Sequence, residues 1–227
     1  MAQFDGYAHA YDAALDEGLS LSGESKAHFA RERVRWLAAR LSQLGARCSN
    51  VLDFGCGTGD SALEFLEQLR APLVVGVDVS RESVAVARRT HDDSRLQFKT
   101  PDELEPDGQF GVVYCNGVFH HIEPPQRAGV LGYVRQALAP RGYFAFWENN
   151  PWNPGTRMVM RRIPFDRDAQ LVWPGQAREL LARAGFEVLR TDFLFLFPRV
   201  LSALRPLEAK VCRVPAGAQY MVLCRKP

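Results

Sequence analysis

Lysine is scarce in this 227-residue chain: only Lys26, Lys99, Lys210 and Lys226 stand among 28 basic residues, the rest being arginine. With 26 acidic residues the net charge is only +2, which argues against a nucleic acid or other polyanion as partner. Long apolar runs are missing as well. The densest, residues 193–197, falls far short of the roughly 18 residues that a membrane-spanning helix needs, and Asp192 and Pro198 flank it. The first residues include Asp5, Asp12, Asp16 and Glu17, which opposes the basic-then-apolar order of a signal peptide. A cytoplasmic protein with no membrane association is the expectation. The five cysteines, Cys48, Cys56, Cys115, Cys212 and Cys224, contain no CxxC pair. This spacing excludes a recognisable zinc pattern and a disulfide framework, and no metal site is expected. Internal repeats and low-complexity linkers are also lacking, so residues 1–227 read as one domain.

What is present is the composition of a soluble globular protein, 47% apolar and 24% charged. Residues 1–22 form an aromatic and acidic lead-in. Residues 24–44 read as a helix, with Phe29, Val34, Leu37, Leu41 and Leu44 at helical spacing, Ser22 as its cap and Gly45 as its stop. The chain then alternates. Short apolar strands at 51–54, 73–77, 96–98, 110–115 and 143–147 are separated by helical stretches at 61–69, 80–89 and 126–138. That rhythm implies βαβ units, hence a doubly wound α/β fold with a mostly parallel sheet. A Pro- and Asn-rich insertion breaks it at 149–168. A helix at 175–184 and two apolar strands near 186–197 and 218–224 close the chain.

The decisive stretch is Val51-Leu52-Asp53-Phe54-Gly55-Cys56-Gly57-Thr58-Gly59-Asp60, a strand ending in an acid, then a glycine-rich turn, then a helix start. Glycines serve where backbone must take positive φ or lie against a ligand. In a doubly wound sheet that ligand sits beyond the carboxyl ends of the strands. The second strand ends in another acid, Asp78, placed to accept the two hydroxyls of a ribose, with Val79 beside it. A dinucleotide fingerprint would require a third glycine where Asp60 stands, and a carboxylate there would repel a pyrophosphate. Asp53 would be equally misplaced. Facing the ammonium group of an amino-acid moiety, Asp53 makes sense, and a cationic, phosphate-free adenosyl ligand suits both acids.

These residues resemble the class I S-adenosylmethionine-dependent methyltransferases, and the similarity extends along nearly the whole chain. The D-x-G-C-G-T-G run matches that family's first motif, Asp78 falls at its ribose-binding acid, and residues 110–122 resemble the segment around the fourth strand. Residues 138–143 and 184–186 resemble the approaches to the fifth and sixth strands. The resemblance implies a Rossmann-like methyltransferase fold with seven strands, the last antiparallel, and an N-terminal helical lid over residues 1–45. It implies S-adenosylmethionine as cofactor, S-adenosylhomocysteine as product, and a cofactor set of Asp53, Gly55, Cys56, Gly57, Gly59, Asp78, Val79 and Asn116. Tyr11 and Arg33 join from the lid, Arg33 toward the cofactor carboxylate or else as a solvated helix residue. Two positions depart from the pattern. Gly111 replaces a common Asp, and Thr100-Pro101-Asp102 stands where an acid receives the adenine amino group, leaving Asp102 or backbone groups for that contact.

Transfer to oxygen or protonated nitrogen needs a base as well as alignment. His120 and His121 lie just after the fourth strand, with His121 favoured as base and a structural role open for either. Glu148 at the end of the fifth strand, and Asn149 and Trp152 in the insertion at 149–173, are candidate acceptor-binding residues, as are Tyr7 in the lead-in and Arg157. Turn formation by Asn and Pro is the competing reading for the 148–154 loop, and solvent exposure is the competing reading for Arg157. The resulting expectation is methyl transfer to an oxygen or nitrogen of a small metabolite. Action on RNA or protein, and a non-catalytic S-adenosylmethionine-binding module, are the alternatives.

Overall fold

The computed structural model describes residues 23–46, 49–163 and 169–227; Tyr7, Tyr11 and Ser22 lie outside them. Seven strands form one sheet: β1 Val51–Phe54, β2 Val74–Val77, β3 Leu96–Lys99, β4 Phe110–Asn116, β5 Leu138–Asn149, β6 Glu187–Leu194 and β7 Gln219–Arg225. Their order is β3-β2-β1-β4-β5-β7-β6. Strands β1 to β5 pair in parallel, and β7 runs antiparallel between β5 and β6. The strand order reverses between β1 and β4, and a doubly wound sheet opens its ligand crevice at such a point.

The helices are α1 Lys26–Gln43, α2 Ala62–Gln68, α3 Arg81–Thr90, α4 Pro124–Ala137, α5 Pro154–Arg162, α6 Pro174–Arg183 and the short α7 Glu208–Val211. Both faces of the sheet are covered, because its strands are apolar on both sides. Val34, Leu37, Phe65, Val84, Trp147 and Met221 pack in one layer. Leu52, Val113, Leu131, Phe146, Leu181 and Tyr220 pack in the other. Period-two alternation assigns neighbours on β5 to opposite layers: Trp147 to the first, Phe144 and Phe146 to the second.

Several boundaries differ from the sequence reading for local reasons. Ser25 caps α1 by accepting a hydrogen bond from the His28 amide at 3.2 Å, so the helix begins at Lys26. The helix expected at 126–138 starts at Pro124, since Pro124 and Pro125 occupy its first positions, where a missing N–H costs nothing. The insertion at 149–168 contains α5, which Asn153 caps through the Thr156 amide at 2.9 Å. Gly111 owes its smallness to Ser49, whose side chain fills the place a Cβ would take. Among the described residues no helix is long and apolar enough to cross a membrane.

Candidate active site

The glycine turn hangs on the ends of β1 and β2. Gly55 and Cys56 donate to the Val77 carbonyl at 2.7 and 3.1 Å. The Asp78 carboxylate accepts the Gly57 amide through one oxygen and the Ser80 amide through the other, both at 2.9 Å. Asp78 therefore shapes the turn through both of its oxygens. Gly57 has φ +54, and a Cβ built on it would meet no atom within 4 Å. Its glycine is thus required by backbone conformation while open space lies before it. At Gly55 the opposite holds: a side chain would collide with Val118, so the turn packs directly against the segment that follows β4.

Asp53 is buried, and burial together with the negative charges of Asp60 and Asp78 pushes its carboxyl up to about 8, against the opposing pull of Arg33. A buried acid raised by desolvation and like charges becomes an anion readily when a cation arrives. Asp60 itself is joined to Lys26 at 2.5 Å, tying the start of α1 to the end of the turn. Cys56 is buried within the turn, and burial pushes its thiol well up.

Beyond the ends of β4, β5 and β7 lies a cavity of about 630 Å³. Its walls come from α1, from α5 and from the excursion between β6 and β7, and Asn116, Gly117, His120, His121 and Asn149 reach it from the sheet side. A polar chain runs along this boundary. Arg33 donates to the Tyr114 hydroxyl at 2.9 Å and to Gln219 at 3.1 Å, and Gln219 donates to Asn149 at 3.1 Å. Asn116 Oδ1 is buried with no hydrogen-bond partner among the described residues, a carbonyl oxygen suited to a ligand's donor.

After β4 a 3₁₀ turn, Phe119–His121, carries the two histidines. Glu148 is fully buried: one oxygen accepts the Phe119 amide at 2.8 Å and the other meets His120 Nδ1 at 2.6 Å. It reaches the cavity only through His120, while His120 and His121 both line it, their rings 4.0 Å apart.

The structure thus gathers Arg33, Asn116, His120, His121 and Asn149 around one chamber, with Asp53, Gly57 and Asp78 on the adjoining turn. It places others elsewhere. Val79 is exposed beside Asp78. Asp102 is exposed on a 3₁₀ turn and paired with Arg81 at 3.0 Å, and its hydrogen bonds, first that with Thr100, hold its carboxyl below the usual range. Trp152 meets Trp173 edge-on and lies tilted against Phe193, away from the chamber lining. Arg157 is exposed, and α5 presents Thr156, Met158 and Met160 to the chamber instead. Arg33 is buried, which removes the reading of a solvated helix residue. Sequence reasoning missed Tyr114 and Gln219, which looked like ordinary strand residues, and Phe195 and Phe197, which line the chamber with Phe29 of the lid helix.

Comparison with known proteins follows the same outline. A family model described as a methyltransferase domain matches residues 27–191. A trans-aconitate 2-methyltransferase of Escherichia coli O1:K1 / APEC is 25% identical over 156 residues, 68% of this chain and 60% of that protein. The match therefore spans about 60% of the length of this curated relative. Among solved structures, an S-adenosylmethionine-dependent methyltransferase from Mesorhizobium loti superposes with a TM-score of 0.60 at 20% identity, covering 82% of this chain and 96% of that one. Phosphoethanolamine N-methyltransferase 2 of Haemonchus contortus, solved with S-adenosyl-L-methionine, gives 0.58 at 19% identity, covering 83% and 51%. At these identities the structural likeness concerns the fold.

Proposed function

Because the chain belongs to the methyltransferase-domain family, we propose that it binds S-adenosylmethionine on the glycine turn and methylates a small molecule held in the adjoining chamber. The observation that carries this reading is the open, positive-φ Gly57 between a buried, cation-seeking Asp53 and the two-oxygen Asp78. The residues fit the cofactor. Asp53 would face its ammonium group, Asp78 its ribose, Arg33 its carboxylate, and the buried Asn116 oxygen supplies an acceptor where the turn meets the chamber. When bound, S-adenosylmethionine supplies an electrophilic methyl on a sulfonium, whose sulfur keeps the bonding electron pair as the methyl leaves.

The chain's own contribution is alignment and exclusion of water. Walls from α1, α5 and the β6–β7 excursion enclose a volume matched to a small acceptor, and fixing two reactants in such a site removes roughly 7–11 kcal/mol of barrier. Enclosure favours a small metabolite over a macromolecule. Titration calorimetry tests the reading. S-adenosylhomocysteine should bind without added metal, whereas NAD and FAD should not. Gly57→Val should abolish binding, because a branched Cβ opposes φ +54 and fills the open space. Normal affinity in that variant would overturn the assignment of the turn.

A further inference from the structure

Resting on that methyltransferase reading, we infer that the acceptor is a largely apolar, uncharged molecule with a weakly acidic hydroxyl, whose proton passes to His120 held in register by Glu148. Two observations lead there, one on the chamber's walls and one on its base.

The lining is dominated by Phe29, Phe195, Phe197, Met158, Met160 and Leu194. Three of the cations that reach it are paired with acids, Lys26 with Asp60, Arg205 with Glu24 and Arg35 with Glu32, and Arg33, held by the Tyr114 hydroxyl and Gln219, is the one assigned to the cofactor's carboxylate. A polycarboxylate would have to break these pairs to find counter-charge, and desolvating it beside aromatic rings is costly. An apolar body with one polar atom meets no such conflict.

The base is built rather than incidental. Glu148 has no exposure to solvent, and its contact with His120 Nδ1 is short, at 2.6 Å. The same carboxylate accepts the Phe119 amide, so the 3₁₀ turn and the ring are fixed together. The other titratable groups near Glu148 are Cys115 on β4 and Tyr220 on β7, and burial pushes both well above their ordinary ranges. They stay neutral, as befits surroundings in which the carboxylate pairs with the imidazole; His121 flanks it on its own turn. With Nδ1–H donated to Glu148, the lone pair of His120 lies on Nε2. A carboxylate acceptor is already a nucleophile and needs no such base, whereas a hydroxyl does. The hydroxyl's O–H bond breaks with its electrons remaining on oxygen, which forms the new bond to the methyl carbon. Nε2 takes the proton, Glu148 stabilises the imidazolium, and the proton later returns to water. His120 is the catalytic residue and Glu148 a positioning residue.

Two readouts test this on the full chain saturated with S-adenosylhomocysteine or S-adenosylmethionine. In ¹⁵N-histidine NMR, His120 should show the Nδ1–H tautomer, and Glu148→Gln should invert it by offering an amide donor to Nδ1. With 2-naphthol as probe, wild type should yield the methyl ether with a rate that rises with pH through the histidine range. Glu148→Gln should lower kcat about 10²-fold or more, flatten that limb, and leave KM and S-adenosylhomocysteine affinity little changed. An Nε2–H tautomer in wild type, full activity in the variant, or methylation of trans-aconitate with 2-naphthol untouched would each overturn the inference. Loss of S-adenosylhomocysteine binding in the wild type would instead sink the methyltransferase reading on which it rests.

Discussion

Replacing Asp53 by Asn should stabilise the ligand-free protein while weakening its hold on the cofactor, and pH separates the two effects. In the folded chain this carboxyl is pushed up to about 8 from an ordinary 3.8. Between those values the folded state keeps a proton that the unfolded state has released. Stability contributed through this group therefore falls as pH rises from about 4 to about 8, and levels off above. At about 1.4 kcal/mol per unit the full gap is worth roughly 5–6 kcal/mol, of which roughly 3–4 kcal/mol accrues between pH 5 and pH 8. In a domain of this size each kcal/mol moves Tm by about 2–4 °C. Asp53→Asn, having no charge to desolvate, should gain about 10 °C on the wild type between pH 5 and pH 8. Binding runs the other way. An ammonium group facing Asp53 favours the carboxylate, so S-adenosylhomocysteine should release close to one proton at pH 7, and the Asn variant should release none. Thermal melts at pH 5 to 8, and calorimetry in buffers of differing ionisation enthalpy, measure both quantities. Parallel melting curves for the two proteins would refute the burial argument, and equal proton release would refute the ammonium assignment.

Local sequence carried the cofactor turn because everything that shapes it lies within a few residues or one βαβ unit. Strand, acid and glycines are contiguous from Val51 to Gly59, and Asp78 closes on Gly57 across the neighbouring strand. The acceptor chamber is assembled from distant parts. Arg33 meets Gln219, 186 positions later, and the Glu24–Arg205 pair joins residues 181 apart; no local pattern encodes either. Glu148 is different, since its placement was legible and was passed over. Phe144, Phe146 and Glu148 alternate along β5, so period two assigns Glu148 to the same packed face as the two rings, under the histidine turn rather than in the chamber. The start of α5 was also written in the sequence. Asn153-Pro154 is a capping residue followed by proline at the first helical position, but within an Asn- and Pro-rich stretch it reads equally as a turn. The apolar wall at 194–198 escaped because the run Phe193 to Phe197 is continuous in sequence and reads as one strand, whereas β6 ends at Leu194.

Three further outcomes follow from the geometry. Asp78→Ala should weaken S-adenosylhomocysteine binding by about 1.5–3 kcal/mol and loosen the turn, as the Gly57 and Ser80 amides lose their acceptor; Asp78→Asn, keeping one oxygen, should recover part in the same titration. Gly111→Leu should lower Tm by several degrees, because Ser49 occupies the space its side chain would enter; an unchanged melt would show that the 49–50 connection yields freely. Asp192→Ala should be the most damaging. Its side chain has no exposure to solvent and accepts from Trp36 at 2.9 Å and Arg40 at 3.1 Å on α1, and twice from Arg190 at 2.7 and 3.0 Å. Removing the carboxylate leaves the Arg40 guanidinium, itself 9% exposed, as a buried charge without its counter-ion, a loss of about 3–5 kcal/mol. That predicts a fall in Tm of about 10–15 °C, and the double variant Asp192→Ala, Arg40→Met should recover much of it by removing the stranded charge. Arg190→Ala should cost far less, since its side chain is 26% exposed and solvent can replace it. Because α1 also carries Arg33, the Asp192 variant should bind S-adenosylhomocysteine more weakly only as far as the helix shifts. A change in melting smaller than that of Arg190→Ala would mean that Asp192 is not what fastens α1 to β6.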